Sequence, residues 1–64
     1  MMVNGERREF RDGLKLHELL ADLDVDARAV AVMVDDEVYK PGRVPDVALS
    51  RDAVIEVVQM MQGG

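Results

Sequence analysis

The apolar positions of the chain change period as it runs, and each change predicts an element. Met1, Met2 and Val3 form a short apolar run that ends at Asn4-Gly5. Asn-Gly supplies the positive φ angles that a two-residue type I′ loop requires, so the run predicts a strand entering a hairpin, with Arg7 to Phe10 as the returning strand. Phe10 anchors that return, and Asp12-Gly13 ends it. From Lys15 the spacing becomes helical. Leu16, Leu19, Leu20 and Leu23 fall at i, i+3, i+4 and i+7, with His17, Glu18, Ala21 and Asp22 off the stripe. Asp12 is the candidate cap, with no Glu or Gln three residues on to complete a capping box.

Asp24 to Asp26 close the helix, and Arg28 to Val34 follows as a continuous apolar run with three valines, the pattern of a strand covered on at least one face. Asp35-Asp36 makes a turn into a short paired segment at Val38-Tyr39. Pro41-Gly42 and Pro45 punctuate the next stretch, so Pro41 to Ser50 reads as a loop with at most one helical turn around Asp46 to Ala48. Val54 to Val58 is the last strand, with Ile55 and Val57 on one face and Val54, Glu56 and Val58 on the other. Two strands, a helix, a strand, an irregular crossing and a last strand describe an α+β domain in which one helix covers one face of a mixed sheet of four to five strands. The first and last strands are expected to lie parallel in the middle of that sheet.

Sixty-four residues make a single domain, 1–64, with a small core. Absence of cysteine removes any disulfide framework and any thiolate ligand or nucleophile, and one histidine, His17, offers little basis for a metal cage. No Ser/His/Asp or Cys/His set, phosphate-cradling glycine loop or metal cluster stands out, so the chain is not expected to be an enzyme. His17 reads as a surface residue in the first helical turn, and Asp35-Asp36 as a solvated turn. Thirteen acidic against eight basic residues give a formal charge of −5, which repels nucleic acid and anionic lipid and suits a basic protein surface. The longest apolar run, Ala29 to Val34, is six residues, too short for a membrane span. No targeting segment is evident, and a soluble cytoplasmic monomer is expected.

The working end is the pair Gly63-Gly64. Met60 to Gly64 carry no turn signal and read as a flexible tail leaving the last strand, able to reach roughly 16 Å at about 3.3 Å per residue. Glycine has no Cβ, so such a tail can pass a channel that any side chain would block.

Four passages, taken together, resemble the ThiS/MoaD family of ubiquitin-like sulfur carriers. They are Val3-Asn4-Gly5-Glu6, Leu16-His17-Glu18-Leu19-Leu20 with Leu23, Ala31-Val32-Met33-Val34-Asp35-Asp36-Glu37, and Val54-Ile55-Glu56-Val57-Val58 ahead of Gly63-Gly64. Length and the Asn-Gly-Glu hairpin are more similar to the ThiS branch than to MoaD. Lys15 where the family often has Thr or Ser, Asp35 where Asn is common, and Arg51-Asp52-Ala53 before the last strand depart from the usual pattern.

The resemblance implies a β-grasp fold and a carrier of sulfur for the thiazole of thiamine. A ThiF- or MoeB-like enzyme would use ATP to adenylate Gly64, and a sulfur donor would then displace AMP to leave a thiocarboxylate for a ThiG-like thiazole synthase or another acceptor. The chain itself would bind no cofactor or metal and hold no catalytic residue. Gly64 would be the covalent attachment point and Gly63 the slender neck. The resemblance also implies that the sheet face away from the helix meets the activating enzyme, with Val58, Met60 and Met61 as candidate docking residues; the same side chains could instead simply pack the sheet. A MoaD-like carrier for molybdopterin or another sulfur route, a ubiquitin-like modifier joined through Gly64 to lysines, and a β-grasp module that works by binding alone stand as alternatives.

Overall fold

A computed structural model describes residues 1–59, and the stretch 60–64 lies outside the described residues. The elements run β1 (Met2–Val3), β2 (Glu6–Arg7), α1 (Leu16–Asp22), β3 (Val30–Val34), β4 (Glu37–Tyr39) and β5 (Val54–Gln59). The five strands form one mixed sheet in the order β2-β1-β5-β3-β4. β5 lies parallel to β1, with Met2 opposite Val54 and Val3 opposite Ile55. On its other side it lies antiparallel to β3, from Val30 opposite Gln59 to Val34 opposite Ile55. The first and last strands are thus parallel neighbours at the centre, as the pattern predicts, and one helix with a five-stranded mixed sheet gives the α+β, ubiquitin-like β-grasp architecture.

Alternation along the strands decides what the helix covers. Val3, Val30, Val32 and Ile55 are buried together with Leu16, Leu19 and Leu20 of α1 in one aliphatic core. Each such side chain contributes about 1.5–3 kcal/mol through burial. The partner residues on β5 turn the other way: Ile55 is 0% exposed whereas Val54 and Val58 are 48% and 55% exposed. This is the sidedness expected from period-two placement. Leu23 and Phe10, expected as apolar anchors, pack partly buried against the core.

Three local expectations are corrected. β2 ends at Arg7, so Phe10 reaches the core from a loop; past the strand, Arg8 still donates its N–H to Met1 O at 2.9 Å. The helix cap is Lys15 and not Asp12, and the Lys15 N–H donates to Glu18 Oε1 at 3.3 Å. That is the carboxylate half of a capping box, with Glu18 three residues beyond the cap. A further first-turn donor is satisfied from far away in sequence, because Asp46 Oδ1 accepts the His17 N–H at 3.0 Å. The third correction concerns Asp46 to Ala48, which form no helical turn. Leu16 N–H donates to Val47 O at 2.8 Å and Leu49 N–H to Leu14 O at 2.9 Å, with an isolated antiparallel bridge between Lys15 and Ala48. Those bonds draw the segment out straight beside the helix start, and the unpaired first-turn N–H groups of α1 find acceptors there.

α1 stops through a Schellman motif, with Val25 N–H on Leu20 O at 3.1 Å and Asp24 N–H on Ala21 O at 3.0 Å. The left-handed position of that motif is held by Asp24, at φ 59°. An aspartate there carries a steric cost that glycine lacks, and its charge faces the negative end of the helix dipole. Asp24→Gly is therefore expected to raise stability by roughly 0.5–1 kcal/mol, read from the midpoint of urea unfolding. A lowered midpoint would show that the aspartate makes a compensating contact.

Candidate functional site

The site the sequence points to is the end of β5, and the described residues show how its root is held. Parallel pairing with β1 supplies Met2 N–H to Ala53 O at 3.0 Å and Asn4 N–H to Ile55 O at 2.9 Å. One position further, the main chain of β1 has already turned: Asn4 takes φ 52° and Gly5 φ 81° to begin the hairpin. The Asn4 side chain then stands in for the departed strand, its Oδ1 accepting the Val57 N–H at 2.7 Å. At the other end of β5 a second turn does the same. Asp35, at φ 54°, donates its N–H to Val54 O at 2.8 Å and accepts the Val54 N–H on Oδ1 at 3.1 Å. Both residues tolerate the left-handed region because they are Asn and Asp, and both carry the acceptor needed to extend a ladder past its last strand residue.

β5 is therefore clamped at both ends, and its last described residue, Gln59, is paired with Val30. The outward face offers Val54 and Val58 from β5, with Met33 of β3 and Val38 of β4 beside them, all exposed. Val58 stands opposite Ala31, and Glu56 sits between the two valines opposite Met33. Among the sequence-predicted site residues, Val58 is thus on the open face away from α1. Met60, Met61, Gly63 and Gly64 lie outside the described residues.

The other residues singled out belong to the scaffold. His17 is exposed as expected, yet its Nε2 makes a 2.7 Å hydrogen bond with Val44 O and so ties the helix start to the crossing segment. Asp35-Asp36 is a turn, as read, with the further duty to Val54 described above. Arg28 holds the Asp26 carboxyl below the usual carboxylate range, first by side-chain and then by backbone hydrogen bonding, and Asp26 in turn raises Arg28. This pair is fully exposed and local to the loop before β3. Among the described residues no group of three or more His, Cys, Asp or Glu converges on a metal-sized site, and no helix is long and apolar enough to cross a membrane. The clamping roles of Asn4 and Asp35 were not read from the sequence, where both were turn residues only. Their signal is an acceptor side chain at a left-handed turn position next to a central strand.

The sequence profile of the ThiS family matches residues 1–64. The chain is 40% identical over 62 residues to the sulfur carrier protein ThiS of Thermus thermophilus, a match spanning 97% of this chain and 95% of that protein. It is also 33% identical over 64 residues to a thiazole synthase of Paramagnetospirillum magneticum, all of this chain matching 20% of that protein.

If Asn4 serves as the acceptor that prolongs β1, replacing it should act on β5 specifically. Asn4→Gly keeps the turn geometry but removes the acceptor, and it should lower stability by about 1 kcal/mol and speed hydrogen exchange of the Val57 amide. Asn4→Asp keeps an acceptor and should leave that amide protected. Unchanged Val57 protection in Asn4→Gly would remove this role.

Proposed function

The chain belongs to the ThiS family, and from that premise we propose that it carries sulfur on the C-terminal carbonyl of Gly64 for assembly of the thiazole ring of thiamine. Full-length similarity to a protein named as a sulfur carrier supports this reading. So does the match between the whole chain and one fifth of a thiazole synthase, since a sequence of this kind there accompanies a thiazole-forming activity. The observation that carries the proposal is the clamped central strand: β5 is held by β1, β3, Asn4 and Asp35, and it is the last element before Gly63-Gly64 in the sequence.

A carboxylate is a poor electrophile, so activation comes from a partner. An adenylating enzyme joins the Gly64 carboxylate to the α-phosphate of ATP, and pyrophosphate leaves. Sulfide, delivered by a sulfur donor, then attacks the acyl carbon, the acyl–phosphate C–O bond breaks, AMP departs, and a thiocarboxylate remains on Gly64. That group is a good nucleophile toward the intermediate held by a thiazole synthase, and an oxygen from the acceptor's carbonyl or from water replaces the transferred sulfur at the acyl carbon to regenerate the carboxylate. The chain supplies no acid or base to these steps. Its contribution is reach and presentation, with Gly63 as the neck that enters the partner's cleft. Val58, at the exposed end of the open face, with Met60 and Met61 beyond it, forms the apolar centre of docking.

Two measurements test this. Incubation of the full chain with ATP, a sulfur source and soluble cell extract is expected to exchange one oxygen for sulfur, read by intact mass and mapped to Gly64, and a variant lacking Gly64 should gain nothing. An unchanged mass, in an extract with demonstrated adenylating activity, would contradict the reading. Val58→Glu should keep the fold and slow formation of the thiocarboxylate by roughly tenfold, the scale of one lost apolar anchor. An unaltered rate would remove Val58 from the docking surface.

A further inference from the structure

The open face is not electrically uniform. The chain has a formal charge of −5, yet three of its eight basic residues, Arg7, Arg8 and Arg51, line one cleft around Phe10 beside the start of β5, against a single acid, Asp52. Of the five other cations, two are held in ion pairs, while Lys15, Lys40 and Arg43 stand apart from this corner. Arg11 pairs with Glu18 and Asp22, and Arg28 pairs with Asp26. Arg7 and Arg8 make no ion pair among the described residues. Arg51 approaches Asp12 only at 4.0 Å, while its guanidinium lies 5.5 Å above the Phe10 ring centroid. The ring holds that guanidinium by cation–π attraction without neutralising it.

The cleft adjoins the open face directly. Arg7 pairs with Met2, and Met2 pairs with Val54, so basic and apolar positions follow one another across three strands in register. Across the same end of the sheet stands the β3–β4 turn, with Asp35 bonded to Val54 and Asp36 and Glu37 following. The apolar strip is thus bordered by cations toward β2 and by the Asp35-Asp36 turn at the β3–β4 corner, while Glu37, opposite Val34, belongs to the helix-side register. An apolar face alone leaves the orientation of a partner loosely specified, whereas opposite charges on its two borders admit one orientation and oppose its reverse.

We propose that Arg7, Arg8 and Arg51 dock a carboxylate-rich patch on the protein that covers the open sheet face, which sets the orientation in which the tail is presented. The proposal rests on the reading of that face as a docking surface. A protein is favoured over a small anion because the Arg51 side chain is 74% exposed. Solvated guanidiniums hold a small ion weakly, and a folded partner desolvates them as it closes. A nucleic acid or anionic membrane would have to approach a chain whose formal net charge is −5.

Amide chemical shifts of the labelled full chain, titrated with an N-acetylated hexaglutamate peptide at low salt, test the proposal without any sulfur chemistry. Its outcome is therefore separate from that of the mass assay on Gly64. Shifts should concentrate at Arg7, Arg8, Phe10, Arg51 and Ala53. Affinity should fall about twofold to tenfold in the double variant Arg7→Gln, Arg8→Gln and stay unchanged in Lys40→Gln, Arg43→Gln. Shifts spread evenly over Lys40 and Arg43, or no shifts at all, would overturn it. So would inorganic pyrophosphate producing the same pattern at lower concentration than the peptide, which would make the cleft a small-anion site.

Discussion

Everything in this molecule depends on how β5 is held in the middle of the sheet. A strand with a parallel neighbour on one side and an antiparallel neighbour on the other has its main-chain donors and acceptors engaged on both edges. β1 is only two residues long and cannot supply the whole of one side. Asn4 makes up the difference on that side by lending its side-chain oxygen where the main chain has turned away, and Asp35 does the same past the end of β3 on the other. The result is a rigid root, with Ile55 sealed under α1 and Val54 and Val58 turned outward.

The helix that covers this strand has seven residues, fewer than an isolated helix needs to persist in water. It is stabilised by tertiary contacts at its start and by a complete Schellman motif at its end. Asp46, Val47 and Val44 on the crossing segment each accept a bond from the Leu16-His17 region. The long irregular stretch between β4 and β5 is therefore part of the helix cap as well as the link between strands. That double use leaves one face of the sheet packed on the core and the other uncovered among the described residues.

Much of this was legible in the sequence because it is written in local periods. The Asn4-Gly5 hairpin, the Leu16, Leu19, Leu20 and Leu23 stripe, the β3 valines and the two faces of β5 follow from turn chemistry and alternation alone. The parallel β1–β5 centre followed from the order of elements. What was not legible is non-local. The helical spacing begins at Lys15, but lysine is not a favoured cap residue, and nothing local shows that the acceptors of the helix start come from Asp46 and Val47. For the same reason Asp46 to Ala48 looked like a helical turn until the 14–17 segment drew it straight. Asn4 and Asp35 were visible as turn residues, but their bonds to Val57 and Val54 depend on which strand lies alongside. Val58 was placed on the correct face by alternation, whereas the corner of Arg7, Arg8 and Arg51 joins residues more than forty positions apart and has no local signature.

The account makes this chain a platform that presents Gly64 and leaves the chemistry to its partners. The most direct measurement is sulfur transfer itself. The chain would be prepared with a radiosulfur-labelled thiocarboxylate at Gly64 and mixed with a thiazole synthase and its other substrates. The account predicts that label leaves the chain and appears in the thiazole product in proportion to turnover. Product formed without label, while the labelled thiocarboxylate persists on the chain, would contradict it.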